Sequence, residues 1–204
     1  MRWLMIVILL CTACEMPDAK ESFAFITIIG EDGELKAGSG FMLETGYIAT
    51  AHHVAKHKGT MFVKNFEGEE TTATVAYVNS TSDIALIKPK EDVWTHALET
   101  GKVSSGGLRR GCIIGRASND ISSLDIMTLC GTMGLSDDHV RMIGSTAKSG
   151  MSGGPCIVDG YAVGVMSFST RRKGKDEIGF GFATCDTFAL STDYIEVLQP
   201  GENE

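Results

Sequence analysis

Short apolar runs bounded by glycine and polar residues, with no long amphipathic helix among them, constrain the fold of this 204-residue chain most strongly. Runs of this length between turn residues are typical of β-strands. They form two sets of six, over residues 23–29, 37–43, 47–50, 60–63, 71–78 and 83–87, and over residues 111–115, 124–132, 140–143, 156–158, 162–168 and 180–184. The sequence therefore predicts an all-β protein of two packed six-stranded antiparallel β-barrels.

The two barrels are expected to form one unit, with the N-terminal barrel over residues 20–97 and the C-terminal barrel over residues 108–198. A chain of this length is also compatible with two small domains. A short C-terminal helix is expected near residues 192–198, before the acidic tail.

One serine lies between glycines, in a segment that reads Ser-Gly-Met-Ser-Gly-Gly-Pro over residues 149–155. Glycine lets the backbone turn sharply there and lets another molecule come close to the Ser152 hydroxyl. The pattern Gly-x-Ser-x-Gly also fits the nucleophile elbow of α/β hydrolases, in which a histidine follows the serine. All five histidines precede Ser152 in this chain, so the elbow interpretation has no base.

The remaining order along the chain is histidine, aspartate, serine. Two short predicted strands after residue 37 end at Ala51-His52-His53-Val54, where small residues present a histidine pair. Asp83 stands at the head of the apolar run 84–87, which fits a buried strand.

These segments resemble the motifs of the chymotrypsin-like (trypsin-like) serine peptidases, most closely the HtrA/Deg-type peptidase domain. The matching patterns are Gly-Ser-Gly at 38–40, Thr-x-x-His-Val at 50–54, Asp-Ile-Ala at 83–85, Ser-Gly-Gly-Pro at 152–155 and the strand Gly-Phe-Gly-Phe-Ala at 179–183. Each motif is weak evidence alone, but their shared order is strong evidence.

The resemblance implies that Ser152 is a nucleophile, His53 its general base and Asp83 the residue that orients the imidazole. Without the joint pattern, Asp83 is equally well a strand-capping residue and Ser152 a serine in a glycine-rich turn. Counting from Thr50 selects His53, and His52 is expected to be an ordinary surface or packing histidine.

His53 and His57 also stand four residues apart, as two zinc ligands on one helix face do. The glutamate of a His-Glu-x-x-His motif is absent and no third ligand is suggested. No metal and no cofactor is therefore expected.

The resemblance further implies an oxyanion hole made by the backbone N–H groups of Gly150 and Ser152. Met151 replaces the small polar residue usual in the family, and its side chain is expected to pack under the loop. The family's register places uncharged residues at the primary pocket, which predicts a preference for small to medium apolar side chains. These substrate-binding residues are Thr146, Ser167, Phe168, Ser169 and Gly181.

Residues 1–13 are predicted to be a signal peptide, because Arg2 precedes an apolar run that is too short to span a bilayer. Thr12 and Ala13 before Cys14 resemble a bacterial lipoprotein cleavage box, with Cys14 as the lipidated residue. Ordinary secretory cleavage nearby is the alternative. Both predict export to the periplasm or cell envelope, the first with membrane attachment through Cys14.

The chain is acidic, with 18 Lys and Arg against 26 Asp and Glu and a formal net charge of −8. An acidic protein is poorly suited to nucleic acid, so no such partner is expected. The dense basic run 171–175 lies between two predicted strands and is interpreted as a solvated hairpin loop.

Four cysteines follow Cys14 in the chain and allow three disulfide connectivities in an exported protein. They are Cys112, Cys130, Cys156 and Cys185. Relatives of the resembled fold place a bridge near Cys112 and Cys156, and buried free thiols are the alternative.

Together these features predict an exported serine endopeptidase that cleaves protein or peptide substrates through a Ser-His-Asp triad and an acyl-enzyme intermediate. The family's PDZ domain is not expected. The alternatives are a catalytically silent peptidase-fold protein that binds segments without cutting them, and a structural envelope lipoprotein.

Overall fold

The computed structural model describes residues 17–101, 107–118, 120–135, 139–143, 147–173 and 179–187. Within these ranges lie two short helices, α1 (Pro17–Glu21) and α2 (His52–Ala55), and twelve strands. The strands are β1 (Phe23–Ile29), β2 (Leu35–Met42), β3 (Ile48–Ala51), β4 (Thr60–Lys64), β5 (Glu70–Asn79), β6 (Ile84–Pro89), β7 (Leu108–Arg116), β8 (Ile126–Leu135), β9 (His139–Ile143), β10 (Pro155–Val158), β11 (Tyr161–Lys173) and β12 (Gly179–Thr187).

The first six strands close into an antiparallel barrel in the order β1-β2-β3-β6-β5-β4. Its core is aliphatic and aromatic, with Ile26, Phe41, Ile48 and Leu86 fully buried. Trp94, which follows the barrel, donates its indole N–H to the carbonyl of Phe23 at 3.1 Å. The connecting segment is thereby fixed to the start of β1.

The last six strands close in the same way, in the order β10-β11-β12-β9-β8-β7. Methionine is prominent in this core, since Met133, Met142, Met151 and Met166 are all buried in it. A thioether side chain adapts to irregular gaps. The prediction that Met151 packs under its loop is therefore confirmed.

The two barrels share one apolar core along the seam between them, because Ile114, Ile157 and Val165 of the second barrel belong to the cluster of the first. Arg116, at the end of β7, is fully buried at this seam. Its guanidinium lies over the Phe25 ring, 5.4 Å from the ring centroid, a distance at which a cation is attracted to the aromatic face. Burial lowers the pKa of Arg116.

The predicted fold class, two six-stranded antiparallel barrels, is confirmed. The basic run differs from its prediction, because residues 171–173 belong to β11 and extend the strand instead of forming a loop. The helix predicted at 192–198 and the leader 1–13 lie outside the described residues. The described part of the chain contains no helix long and apolar enough to cross a membrane.

The cysteines form two disulfides, Cys112–Cys130 and Cys156–Cys185. The suggested Cys112–Cys156 bridge and the free-thiol alternative are therefore both wrong. Cys112 and Cys130 are direct cross-strand partners on β7 and β8, with Cα atoms 4.1 Å apart. Cys156 on β10 and Cys185 on β12 lie on either side of β11, with Cα atoms 6.4 Å apart.

Reduction of the disulfides is expected to destabilise the second barrel. The bridges close segments with sequence separations of 18 and 29 residues, and loops of this size predict a contribution of about 3 kcal/mol each. Urea unfolding with and without a thiol reductant measures the loss. A double variant, Cys156→Ala with Cys185→Ala, serves as control. Reductant should lower its stability only by the contribution of the remaining Cys112–Cys130 bridge. Equal stability of oxidised and reduced wild type would contradict the prediction.

Candidate active site

The segment before Ser152 forms a tight turn whose shape depends on glycine. The Met151 N–H donates to the Lys148 carbonyl at 3.2 Å, and Gly150, the third residue of this turn, has φ +94°. A positive φ at the third position alone is the signature of a type II turn. Residues with a side chain disfavour that φ, so glycine is preferred at this position. In a type I turn the central peptide, which carries the Gly150 N–H, would face the opposite way. The turn type thus decides where that N–H points.

The segment after Ser152 packs against β2 of the first barrel. The Ser152 carbonyl accepts the Ser39 N–H at 2.8 Å. Gly153 has φ +94°, and a Cβ there would overlap the Ser39 carbonyl oxygen. Glycine is therefore required at 153 by both conformation and space.

His53 and Asp83 are joined by two hydrogen bonds at the edge of the first barrel. The Nδ1 atom of His53 lies 2.7 Å from Oδ2 of Asp83, and the His53 backbone N–H donates to Oδ1 at 2.9 Å. The Asp83 carbonyl accepts the N–H of His52 at 2.9 Å. Asp83 thus satisfies both N–H groups that open the single turn α2, which have no partner within the helix.

The Asp83 carboxylate receives a third hydrogen bond from the second barrel. The Ser167 hydroxyl donates to Oδ2 at 2.7 Å. Ser167 lies where the pairing of β11 with β12 shifts register, between Met166 and Phe168. Such a bulge re-aims a side chain locally, and here both Met166 and Ser167 are buried.

Burial acts to raise the pKa of Asp83, but the hydrogen bonds outweigh it. Those from the His53 ring, the Ser167 hydroxyl and the His53 backbone stabilise the charged form and lower the pKa below its ordinary value. Asp83 is therefore an ionised acceptor facing the imidazole. Because a carboxylate only accepts, His53 donates from Nδ1, and in the neutral imidazole Nε2 is then the acceptor.

A continuous set of contacts connects the acid to the serine segment. The Ser167 hydroxyl contacts Asp83, and the carbonyl of the preceding residue, Met166, accepts the Gly153 N–H at 2.7 Å. On the other side, a Cβ on Gly153 would also overlap the hydroxyl of Thr50, three residues before His53. The serine segment thus packs between β3, which leads to His53, and β11, whose Ser167 bonds Asp83.

The sequence profile of the trypsin-like peptidase domain matches residues 38–165, more than half of the chain. The chain belongs to the trypsin-like peptidase family. The match includes the sequence positions of His53, Asp83 and Ser152, and it confirms the resemblance drawn from the motifs.

Individual relatives are similar over most of this chain but at low identity. The Serine protease Do-like HtrA of Bacillus subtilis is 26% identical over 193 residues, which cover 85% of this chain and 42% of the relative. A Probable periplasmic serine endoprotease DegP-like of Chlamydia muridarum is 25% identical over 164 residues, which cover 72% of this chain and 31% of the relative. A protein of the same description from Chlamydia pneumoniae is 26% identical over 168 residues, which cover 74% of this chain and 32% of the relative. The chain thus spans less than half the length of these relatives.

The predicted pocket residues of this trypsin-like peptidase are placed only in part. Phe168 and Ser169 lie on β11, and Gly181 lies on β12 opposite Arg171. Ser167 is directed to Asp83, a contact that the motifs did not predict. Thr146 lies outside the described residues, so the pocket stays a prediction.

The other histidine of α2, His52, makes contacts through its backbone. His52 uses its backbone N–H for Asp83 and its carbonyl for the Lys56 N–H. In the described part of the chain, no three His, Cys, Asp or Glu side chains lie together as metal ligands do.

Ser167→Ala is expected to raise the pKa of Asp83, because one hydrogen bond to the charged form is lost. A lowered folded-state pKa contributes stability that is full above the unfolded-state value and lost as the pH falls through the folded-state value. The stability difference between wild type and variant should therefore be largest above about pH 5, where the carboxyl is ionised in the unfolded state as well, and should shrink as the pH falls through the lowered pKa of Asp83.

Urea unfolding across this pH range measures that difference. Ser22→Ala is the control, since Ser22 is also buried but donates to a backbone carbonyl, that of Ala19 at 3.2 Å, instead of to a carboxylate. Its cost should not depend on pH. A Ser167→Ala cost that stays constant down to low pH would show that the hydroxyl does not stabilise the Asp83 charge.

Proposed function

We propose that this trypsin-like peptidase is a serine endopeptidase acting on proteins or peptides, with Ser152 as nucleophile, His53 as general base and Asp83 as the orienting acid. The observation that carries the proposal is the hydrogen bond of 2.7 Å between His53 Nδ1 and an Asp83 carboxylate that Ser167 also holds. The family match and the relatives named as serine proteases support it.

The geometry suits acyl transfer in two steps. With its Nδ1–H donated to Asp83, the imidazole takes the Ser152 proton at Nε2 as the hydroxyl oxygen bonds to the substrate carbonyl carbon. The same proton then passes to the leaving amine as the peptide bond breaks. Water, activated by His53 in the same way, hydrolyses the acyl-enzyme.

The imidazolium formed in each step is stabilised by the ionised Asp83. The His53 side chain is 38% exposed, while the Asp83 side chain is 23% exposed. The base is thus open to substrate on one side and held by a more sheltered anion on the other.

The proposed oxyanion hole consists of the N–H groups of Gly150 and Ser152. The type II turn supports this role, because it orients the Gly150 peptide independently of substrate. A donor fixed before the charge develops costs no reorganisation during the reaction, and each such donor typically contributes about 3–4 kcal/mol.

The proposal predicts opposite behaviour for two neighbouring histidines. His53→Ala should lose activity to the level of Ser152→Ala, by several powers of ten and on the order of 10⁶ where the nucleophile is removed. His52→Ala is the matched control, and it should keep most activity because its side chain has no proposed role. Casein hydrolysis and labelling by a fluorophosphonate probe measure both. A dead His52→Ala variant with an active His53→Ala variant would reverse the assignment.

The same labelling separates the silent binding protein from the enzyme. Only an activated serine reacts with the probe, so an inactive peptidase-fold protein would label no more than Ser152→Ala. Retained turnover in clean Ser152→Ala protein would refute the nucleophile assignment.

We further propose export to the periplasm or cell envelope. The predicted leader over residues 1–13 supports it, and relatives described as periplasmic are in agreement. Lipidation at Cys14 would hold the peptidase at the membrane surface.

Replacement of Cys14 should abolish lipidation, while replacement of Cys11 should leave it unchanged. In a bacterial host fed an alkyne-tagged palmitate, Cys14→Ala should lose the label and the matched control Cys11→Ala should retain it. If neither the wild type nor Cys11→Ala is labelled, ordinary secretory cleavage would be favoured instead.

A further inference from the structure

The Ser39 side chain is a buried hydrogen-bonding bridge between the two barrels. Its hydroxyl oxygen accepts the backbone N–H of Arg116 at 2.9 Å, and the hydroxyl proton is donated to the Gly150 carbonyl at 2.7 Å. Ser39 is completely buried, so water does not compete for these bonds. Because Arg116 occupies the oxygen from one side, the single proton is directed to Gly150.

The backbone of Ser39 holds the same loop at a second point. Its N–H donates to the Ser152 carbonyl at 2.8 Å, and its own carbonyl accepts the Thr50 hydroxyl at 2.7 Å. One residue of β2 therefore fixes the carbonyls of both Gly150 and Ser152.

These contacts define three successive peptide planes. The plane 150–151 is held at its carbonyl by Ser39 and at its N–H by the Lys148 carbonyl. The plane 152–153 is held by the Ser39 N–H and the Met166 carbonyl. Between them, the Met151 carbonyl of the plane 151–152 accepts the Gly154 N–H at 3.1 Å. Because the N–H and C=O of a trans peptide point in opposite directions, the Ser152 N–H points away from Gly154.

We infer that the Ser39 hydroxyl is a positioning residue for the oxyanion donors of this loop. The hydroxyl is completely buried and makes no hydrogen bond to His53 or Asp83. It acts by fixing the peptide plane 150–151, which follows the Gly150 N–H and precedes the plane that carries the Ser152 N–H. The inference rests on the proposed function for its catalytic consequence, while its structural consequence is independent of any activity.

Ser39→Ala removes the side-chain contact and leaves the backbone contacts of β2 in place. The amide hydrogens of residues 151–153 should then exchange with solvent faster than in wild type. The rate of fluorophosphonate labelling should fall about tenfold to a hundredfold, less than the 10²–10³ that loss of an oxyanion donor itself costs. The pH at which labelling declines on the acid side should stay unchanged, because the triad is not disturbed.

Ser22→Ala is the matched control, since it removes an equally buried hydroxyl that also donates to a backbone carbonyl. It should leave the exchange of residues 151–153 and the labelling rate unchanged. Should Ser39→Ala fail to fold, Ser39→Thr and Ser39→Val provide the comparison, because they have the same shape and differ in the hydroxyl. The Thr variant should then label faster and exchange more slowly at 151–153 than the Val variant.

The outcomes separate this inference from the proposed function. Wild type that labels no more than Ser152→Ala would overturn the function, and the exchange measurement would still decide the role of Ser39. Equal exchange and equal labelling in Ser39→Ala and Ser22→Ala would overturn the positioning role while leaving the enzyme intact. An acid-side shift of the labelling profile in Ser39→Ala would also overturn it, because the hydroxyl would then act through His53 and Asp83.

Discussion

The candidate site depends on polar atoms of one barrel being satisfied by the other across a buried seam. Asp83 belongs to the first barrel, yet one of its hydrogen bonds comes from Ser167 of the second. Gly150 belongs to the second, yet its carbonyl is held by Ser39 of the first. A buried polar group without its partner typically costs about 1–3 kcal/mol. The seam is thus specified by polar complementarity as well as by apolar contact.

The strands could be predicted because their signals are local, and the pair His53–Asp83 because its motifs resemble those of a known family. An apolar run such as 23–29 between polar residues indicates a strand by itself, and β1 spans those residues. Asp83 precedes a buried strand and His53 follows one, and β3 and β6 are neighbours that pair Ala51 with Ile84. Adjacent strands bring the residues at their ends together, and the family resemblance implied this contact between two strands that are not consecutive in the sequence.

The contacts that could not be predicted depend on register between distant strands. Ser167 reaches Asp83 because of an irregularity in β11, which no turn residue in the sequence marks. The pairing Cys156–Cys185 depends on β10 and β12 both pairing with β11, in a register that brings the two cysteines within reach of each other. Ser39 stood in a recognised Gly-Ser-Gly motif, but its partners are 77 and 111 residues away. A motif names such a residue without revealing what it contacts.

Most bonds that hold the serine loop involve the backbone of at least one partner. Met166 accepts through its carbonyl, Ser39 donates through its N–H, and Gly153 is required because of its positive φ and because a Cβ has no room. Many side chains on these strands can therefore change without moving the loop. This accounts physically for a family match that persists while identity to the relatives lies near one quarter. The exceptions are residues whose side chains make the bonds, and among these Ser39 and Ser167 connect the two halves of the candidate site.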